Sequence, residues 1–170
     1  SLKRRLRELI DNARSNQDVV QRLLQLSVSL YECDQVGEVI SKAYRALGEE
    51  FDVDVATVRL FGAPRGESGA AVEFISMDEQ VRALFSRVLK AGRPVCGRLQ
   101  SAQIEFLFGD RREEIGSSAL LPLGSQGDLG MLAMGSKDPQ RFHPAQSTDF
   151  LRHVAELLTS AITPHLAEAA

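Results

Sequence analysis

An α+β domain is expected from this chain of 170 residues. Its sheet is antiparallel, helices from both chain ends stack on one face, and a long coiled-coil-type helix precedes it. Three patterns carry that expectation. First, an apolar run over Ser117–Leu123 meets the tetrad Gly124-Ser125-Gln126-Gly127 and then a second run over 129–135. Two apolar runs joined by a Gly-bounded polar turn read as a β-hairpin. Phe150, Leu151, Val154, Leu157, Leu158, Ala161 and Ile162 then recur at helical spacing, so one stripe of a terminal helix packs on the hairpin. Second, a heptad seam runs along residues 1–31. Third, the order is helix, helix, strand, strand, helix, irregular cover, hairpin, helix. Hairpin-linked strands make a mainly antiparallel sheet, with the end helices on one face and the middle segments on the other.

Along 1–31, Leu2, Leu6, Leu9, Ala13, Asn16, Val20, Leu23, Ser27 and Leu30 step alternately by 4 and 3. A helix so patterned needs a partner, most simply the same helix of a second copy. The expected dimer seam is therefore Leu2, Leu6, Leu9, Ala13, Asn16, Val20 and Leu23, with polar Asn16 fixing register. Leu24, Leu26 and Val28 widen the stripe, where the helix turns onto its own domain. The alternative is a long helix folded back throughout. Lys3, Arg4, Arg5 and Arg7 make a basic start, diluted by Glu8 and Asp11 and without interleaved aromatics, so they read as a solvated flank.

Residues 32–170 form the domain proper. Asp34 is the expected cap of a helix carrying Val36, Val39, Ile40, Ala43, Tyr44 and Leu47. A β-branched strand follows over 53–61, then a Gly- and Pro-containing loop, then a strand over 70–77 that returns from it. Asp78 caps a third helix with Val81, Leu84, Phe85, Val88 and Leu89 on one face, stopped by Gly92 and Pro94. The stretch 95–116 is the least regular. It offers a short strand at Val95-Cys96-Gly97 and a turn or two of helix capped by Ser101. A segment of this kind, held over a sheet by few regular contacts, is a natural cover for a small-molecule pocket.

Composition narrows the function classes. The net charge of −3 gives no global pull toward nucleic acid or an anionic membrane, so neither is an expected partner. No apolar run approaches the roughly 18 residues of a membrane span, and no signal-peptide pattern is present. The chain begins at Ser1 inside a helical pattern and is read as a fragment. Cys33 and Cys96 make neither a disulfide framework nor a zinc site, and fit a cytoplasmic protein with reduced thiols.

The Ser118-x-x-x-Pro122-Leu123 pattern, the Gly127-x-x-Gly130 turn into Met131-Leu132-Ala133-Met134-Gly135-Ser136, Phe142 and the terminal helix together resemble the end of a GAF domain. Gly92-x-Pro94-Val95 fits the middle of one, and the resemblance covers roughly residues 17 to 167. With the seam in front, the chain looks most like a bacterial family known as domain of unknown function four-eight-four, described as GAF-like. The resemblance implies a PAS-related fold, dimerisation through terminal helices and small-molecule sensing. The cyclic-nucleotide and bilin motifs of better-understood GAF domains are not found here. Nor is the cysteine set of the free methionine sulfoxide reductases of this fold.

No catalytic constellation is found either, and the chain is not read as an enzyme. Ser117 and Ser118 are not in a nucleophile elbow, and no phosphate-binding loop or dinucleotide fingerprint appears. His143, His153 and His165 lack metal-ligand spacing. No metal, haem, bilin or cyclic-nucleotide motif is recognised, and the cofactor is unknown. If a pocket lies under the 95–112 cover, Phe74, Phe85, Cys96, Phe106 and Phe108 supply apolar wall, with Leu120 and Leu132 from the hairpin. Arg98 and Arg111 would hold an anionic group. The alternative is that the aromatics are core and the arginines surface. The leading expectation is a dimeric sensory domain binding a small molecule and signalling through its helices. A ligand-free interaction module with a protein partner is the alternative, and a thiol-dependent reductase the third.

Overall fold

The computed structural model describes residues 2–66, 73–97, 99–144 and 148–167, and the side chains of all of these except 12, 13, 15 and 16. The helices are α1 (Leu2–Tyr31), α2 (Val36–Glu50), α3 (Glu79–Ala91), α4 (Ser101–Phe108) and α5 (Asp149–Ile162). The strands are β1 (Val55–Phe61), β2 (Phe74–Ile75), β3 (Val95–Gly97), β4 (Ser117–Leu123) and β5 (Gly130–Ser136). They form one sheet in the order β2-β1-β5-β4-β3.

The predicted hairpin is the centre of that sheet. β4 and β5 pair antiparallel, with Leu121 opposite Leu132 and Leu120 opposite Ala133. Every residue of both strands is buried, because helices cover both faces. That double cover is why the sequence there is continuously apolar rather than alternating. The end of α1, α2 and α5 pack on one face, joining Leu30, Ile40, Leu47, Val154 and Leu158 to Val58, Leu121, Leu132 and Met134. On the other face α3 and α4 bring Phe85, Leu89, Leu107 and Phe108 against Leu120, Met131 and Ala133. The division of helices between the two faces is the one expected.

Local signals act as follows. Asp78 Oδ1 accepts the Val81 N–H at 2.9 Å, and Gly92 ends α3 at φ 67° with its N–H on the Leu89 carbonyl. Two buried serines are structural: Ser117 Oγ donates to the Asp138 carbonyl at 2.6 Å and accepts the Phe142 N–H at 3.1 Å, while Ser118 Oγ donates to the Gly97 carbonyl at 3.2 Å.

Four expectations are corrected. β2 is two residues long and pairs parallel to β1, Leu60 opposite Phe74. The connection over 62–73 is too long for a tight hairpin and has the dozen or so residues that a parallel crossover needs. Residues 70–72 of the expected strand lie outside the described residues. Asp34 is not the cap of α2: the N-cap is Gln35, without a side-chain bond. The cap of α4 is Gln100 rather than Ser101, in a reciprocal box with Gln103. Finally, the 95–116 stretch is more regular than expected, since α4 runs straight into a 3-10 segment over Gly109–Glu114.

Candidate functional site

The expected pocket lining divides between the two faces of the sheet. Phe85, Phe106, Phe108 and Leu120 come together under α3 and α4. Phe74, Cys96 and Leu132 pack instead with the α1/α2/α5 side. The register places Leu132 opposite Leu121, and alternation then sends it to the face opposite Leu120. Arg98 lies outside the described residues. Arg111 is on the exposed 3-10 segment, where its Nε donates to Glu114 Oε2 at 2.8 Å. That bond pushes the arginine further up and holds the Glu114 carboxyl below the usual carboxylate range.

Large apolar side chains pack together under the cover. Phe85 is fully buried, Leu107 and Phe108 nearly so, and the Phe85 and Phe106 rings meet edge-on with centroids 5.4 Å apart. Gln103, a buried side chain that the sequence did not single out, ties the cover down. Its Nε2 donates to the Leu84 carbonyl of α3 at 2.7 Å, and its Oε1 accepts the Gln100 N–H at 3.0 Å. The signal for it was the Gln100-x-x-Gln103 spacing, masked by the better capping residue at Ser101.

The two thiols are poorly disposed to nucleophilic chemistry. Burial pushes both Cys33 and Cys96 up, so little thiolate is present at neutral pH. Among the described residues no group of three His, Cys, Asp or Glu side chains is placed to hold a metal ion. No helix among them is long and apolar enough to cross a membrane.

The α1 helix presents the most distinctive surface. Of the large apolar side chains left exposed among the described residues, all but Met77 are on α1: Leu2, Leu6, Leu9, Ile10, Val20, Leu24, Val28 and Tyr31. Each of the eight is at least 50% exposed, and Tyr31 is 84% exposed. At 3.6 residues per turn they share an arc of about 100°. Leu23, Leu30 and Leu26 lie about 90°, 110° and 150° round the helix from the middle of that arc. Leu26 and Leu30 are buried in the core, and Leu23 packs against it.

At its end the expected seam meets the domain core. After Val20 the exposed stripe steps by four to Leu24 and on to Val28 and Tyr31, while Leu23 turns onto the domain. The side chains of Ala13 and Asn16 lie outside the described ones, although their backbone is helical. Arg22 marks where the helix leaves its domain: its guanidinium donates to the Glu50 carbonyl at the end of α2, 2.9 Å away. No described side chain before Val19 is other than exposed.

Comparison with known proteins adds the following. The family model described as "Protein of unknown function, DUF484" matches residues 1–167. The chain is 27% identical over 153 residues to "Uncharacterized protein YigA" of Salmonella typhimurium, a match covering 88% of this chain and 64% of that protein. It is 25% identical over 158 residues to the protein of the same name in Escherichia coli (strain K12), with the same coverage. The chain thus spans less than two thirds of the length of these relatives.

Proposed function

The chain belongs to the DUF484 family of proteins of unknown function, and from that premise we propose that it is a pairing module of GAF-like type with no ligand beneath its α4 cover. Two copies would join through α1 and present the domain to a further protein. The exposed apolar side chains of α1, from Leu2 to Ile10 and from Val20 to Tyr31, are the observation that carries this reading. An amphipathic helix of 30 residues, about 45 Å long, is not stable with that face in water unless a partner covers it.

The same helix has a second face in the domain core, through Leu26 and Leu30. A change in how the outer face pairs would reach α2 and α5 without an intermediate, as a shift between two packed arrangements. The sheet order β2-β1-β5-β4-β3, with the terminal helices on one face and the middle ones on the other, supports the GAF-type part of this reading. The filled cover favours the closed module over a sensor holding a molecule beneath α4.

Native mass spectrometry of the freshly purified chain tests this. A dimer without added mass is expected. A monomer overturns the pairing. A dimer whose extra small mass is lost on denaturation, and is still carried by R82E/K90E, overturns the closed core and restores the sensor.

A further inference from the structure

A separate feature lies on the opposite side of the sheet, away from α1. We propose that the cleft between α3, the end of β1 and the Ser125–Gly127 turn binds a soluble amphipathic anion, an apolar body carrying one carboxylate- or phosphate-type head. The cleft has a volume of about 390 Å³, within the range of small-molecule sites. Its apolar lining is Phe61, Met77 and Leu89, and Met77 is the one large apolar side chain outside α1 that the described residues leave exposed.

Charge selects the head group. Arg82, Ser86 and Lys90 line the cleft from α3, spaced by four so that all three share one helix face. The two cations stand about 12 Å apart along the helix axis, one at each end of the row. Neither has an ion-pair or side-chain hydrogen-bond partner among the described residues. Asp128 is the one acid of the lining, so cations outnumber it.

The far wall is fixed in advance. Gln126 is held at φ 53°, and Gly127 lies so close to α3 that a Cβ on it would stand 2.8 Å from Leu89 Cβ. A rigid wall lowers the ordering cost of binding. The inference does not rest on the pairing of α1, which contributes nothing to the cleft.

The test is a titration of the 15N-labelled chain with sodium decanoate below its micellar concentration. Saturable amide shifts confined to Ser86, Lys90, Gln126 and Gly127 and their neighbours are expected. Decyltrimethylammonium, with the same tail and the opposite head, and inorganic phosphate, a head without a tail, should each bind at least about tenfold more weakly. R82E/K90E should weaken decanoate at least about tenfold, while R87E, on the same helix but outside the cleft, should not. If the charge reversal does not fold, R82Q/K90Q is read in its place. Equal binding of the cationic amphiphile, unchanged binding in the variant, or shifts elsewhere overturn the site. A response to phosphatidylglycerol vesicles and none to free decanoate overturns a soluble ligand.

Discussion

The hydroxyl of Tyr44, on α2, accepts the backbone N–H of Val58, in β1, at 2.8 Å. Beyond its two-residue pairing with β2, β1 has no strand on that side among the described residues, so residues 55–59 form a sheet edge there. Arg59 closes the same position from the other direction, its guanidinium donating to the Val58 carbonyl at 2.9 Å. Two side chains thus occupy the backbone groups that an incoming strand would use.

Tyr44→Phe should therefore cost about 1–3 kcal/mol, because it leaves a buried N–H unpaired. Burial raises the Tyr44 phenol above its usual value of 10.0. A raised folded-state value means that the folded protein holds this proton more tightly than the unfolded chain. The contribution is whole below about pH 10 and is lost as pH rises through the folded value. Denaturant midpoints of wild type and variant, measured from pH 8 to pH 11 or so, should converge at the alkaline end. A constant gap across that range would contradict the assignment.

Phe85→Ala should cost about 3–5 kcal/mol, since the ring is fully buried between α3 and the sheet and meets Phe106 edge-on. Chemical denaturation measures it. A loss under about 1 kcal/mol would mean that the space under the cover is loosely filled after all.

Asp78→Ala should cost about 1 kcal/mol through the lost cap on Val81. The same change at Asp34 should be nearly neutral, because that carboxylate caps nothing. Equal losses at the two sites would contradict the difference between them.

Gly130→Ala should be strongly destabilising, by about 2 kcal/mol or more. Gly130 sits at φ 146°, and a Cβ there would collide with the Arg59 carbonyl oxygen of the neighbouring strand. Thermal unfolding of the variant reads this directly, and an unchanged midpoint would contradict it.

Local chemistry made part of this fold legible. The hairpin was readable because Gly124 and Gly127 bound a polar turn between two apolar runs, and α3 because Asp78 and Gly92 cap its ends. The path of the seam after Val20 was not. Leu23 and Leu24 are equally apolar, and only the docking of α1 on α2 and α5 decides which of them faces the domain. The side of the sheet taken by Leu132 was hidden for a similar reason. A one-residue change in hairpin register sends every side chain to the other face, and the apolar run is compatible with either. The direction of β2 depends on a long connection whose course no short motif records. The cleft beside α3 went unremarked because Arg82, Ser86 and Lys90 read as an ordinary solvated helix face until the turn at Gln126 is placed against them.

The proposed pairing of two copies runs through the exposed face of α1. Sedimentation equilibrium on the chain and on L6K/L24K tests it most directly, since both leucines are exposed and neither supports the domain core. The wild type should have twice the 18.7 kDa chain mass and the variant the chain mass itself, with a loss of helical circular dichroism no larger than the uncovered part of α1. A wild-type monomer at about 100 μM, or a variant that dimerises as tightly as the wild type, would contradict it.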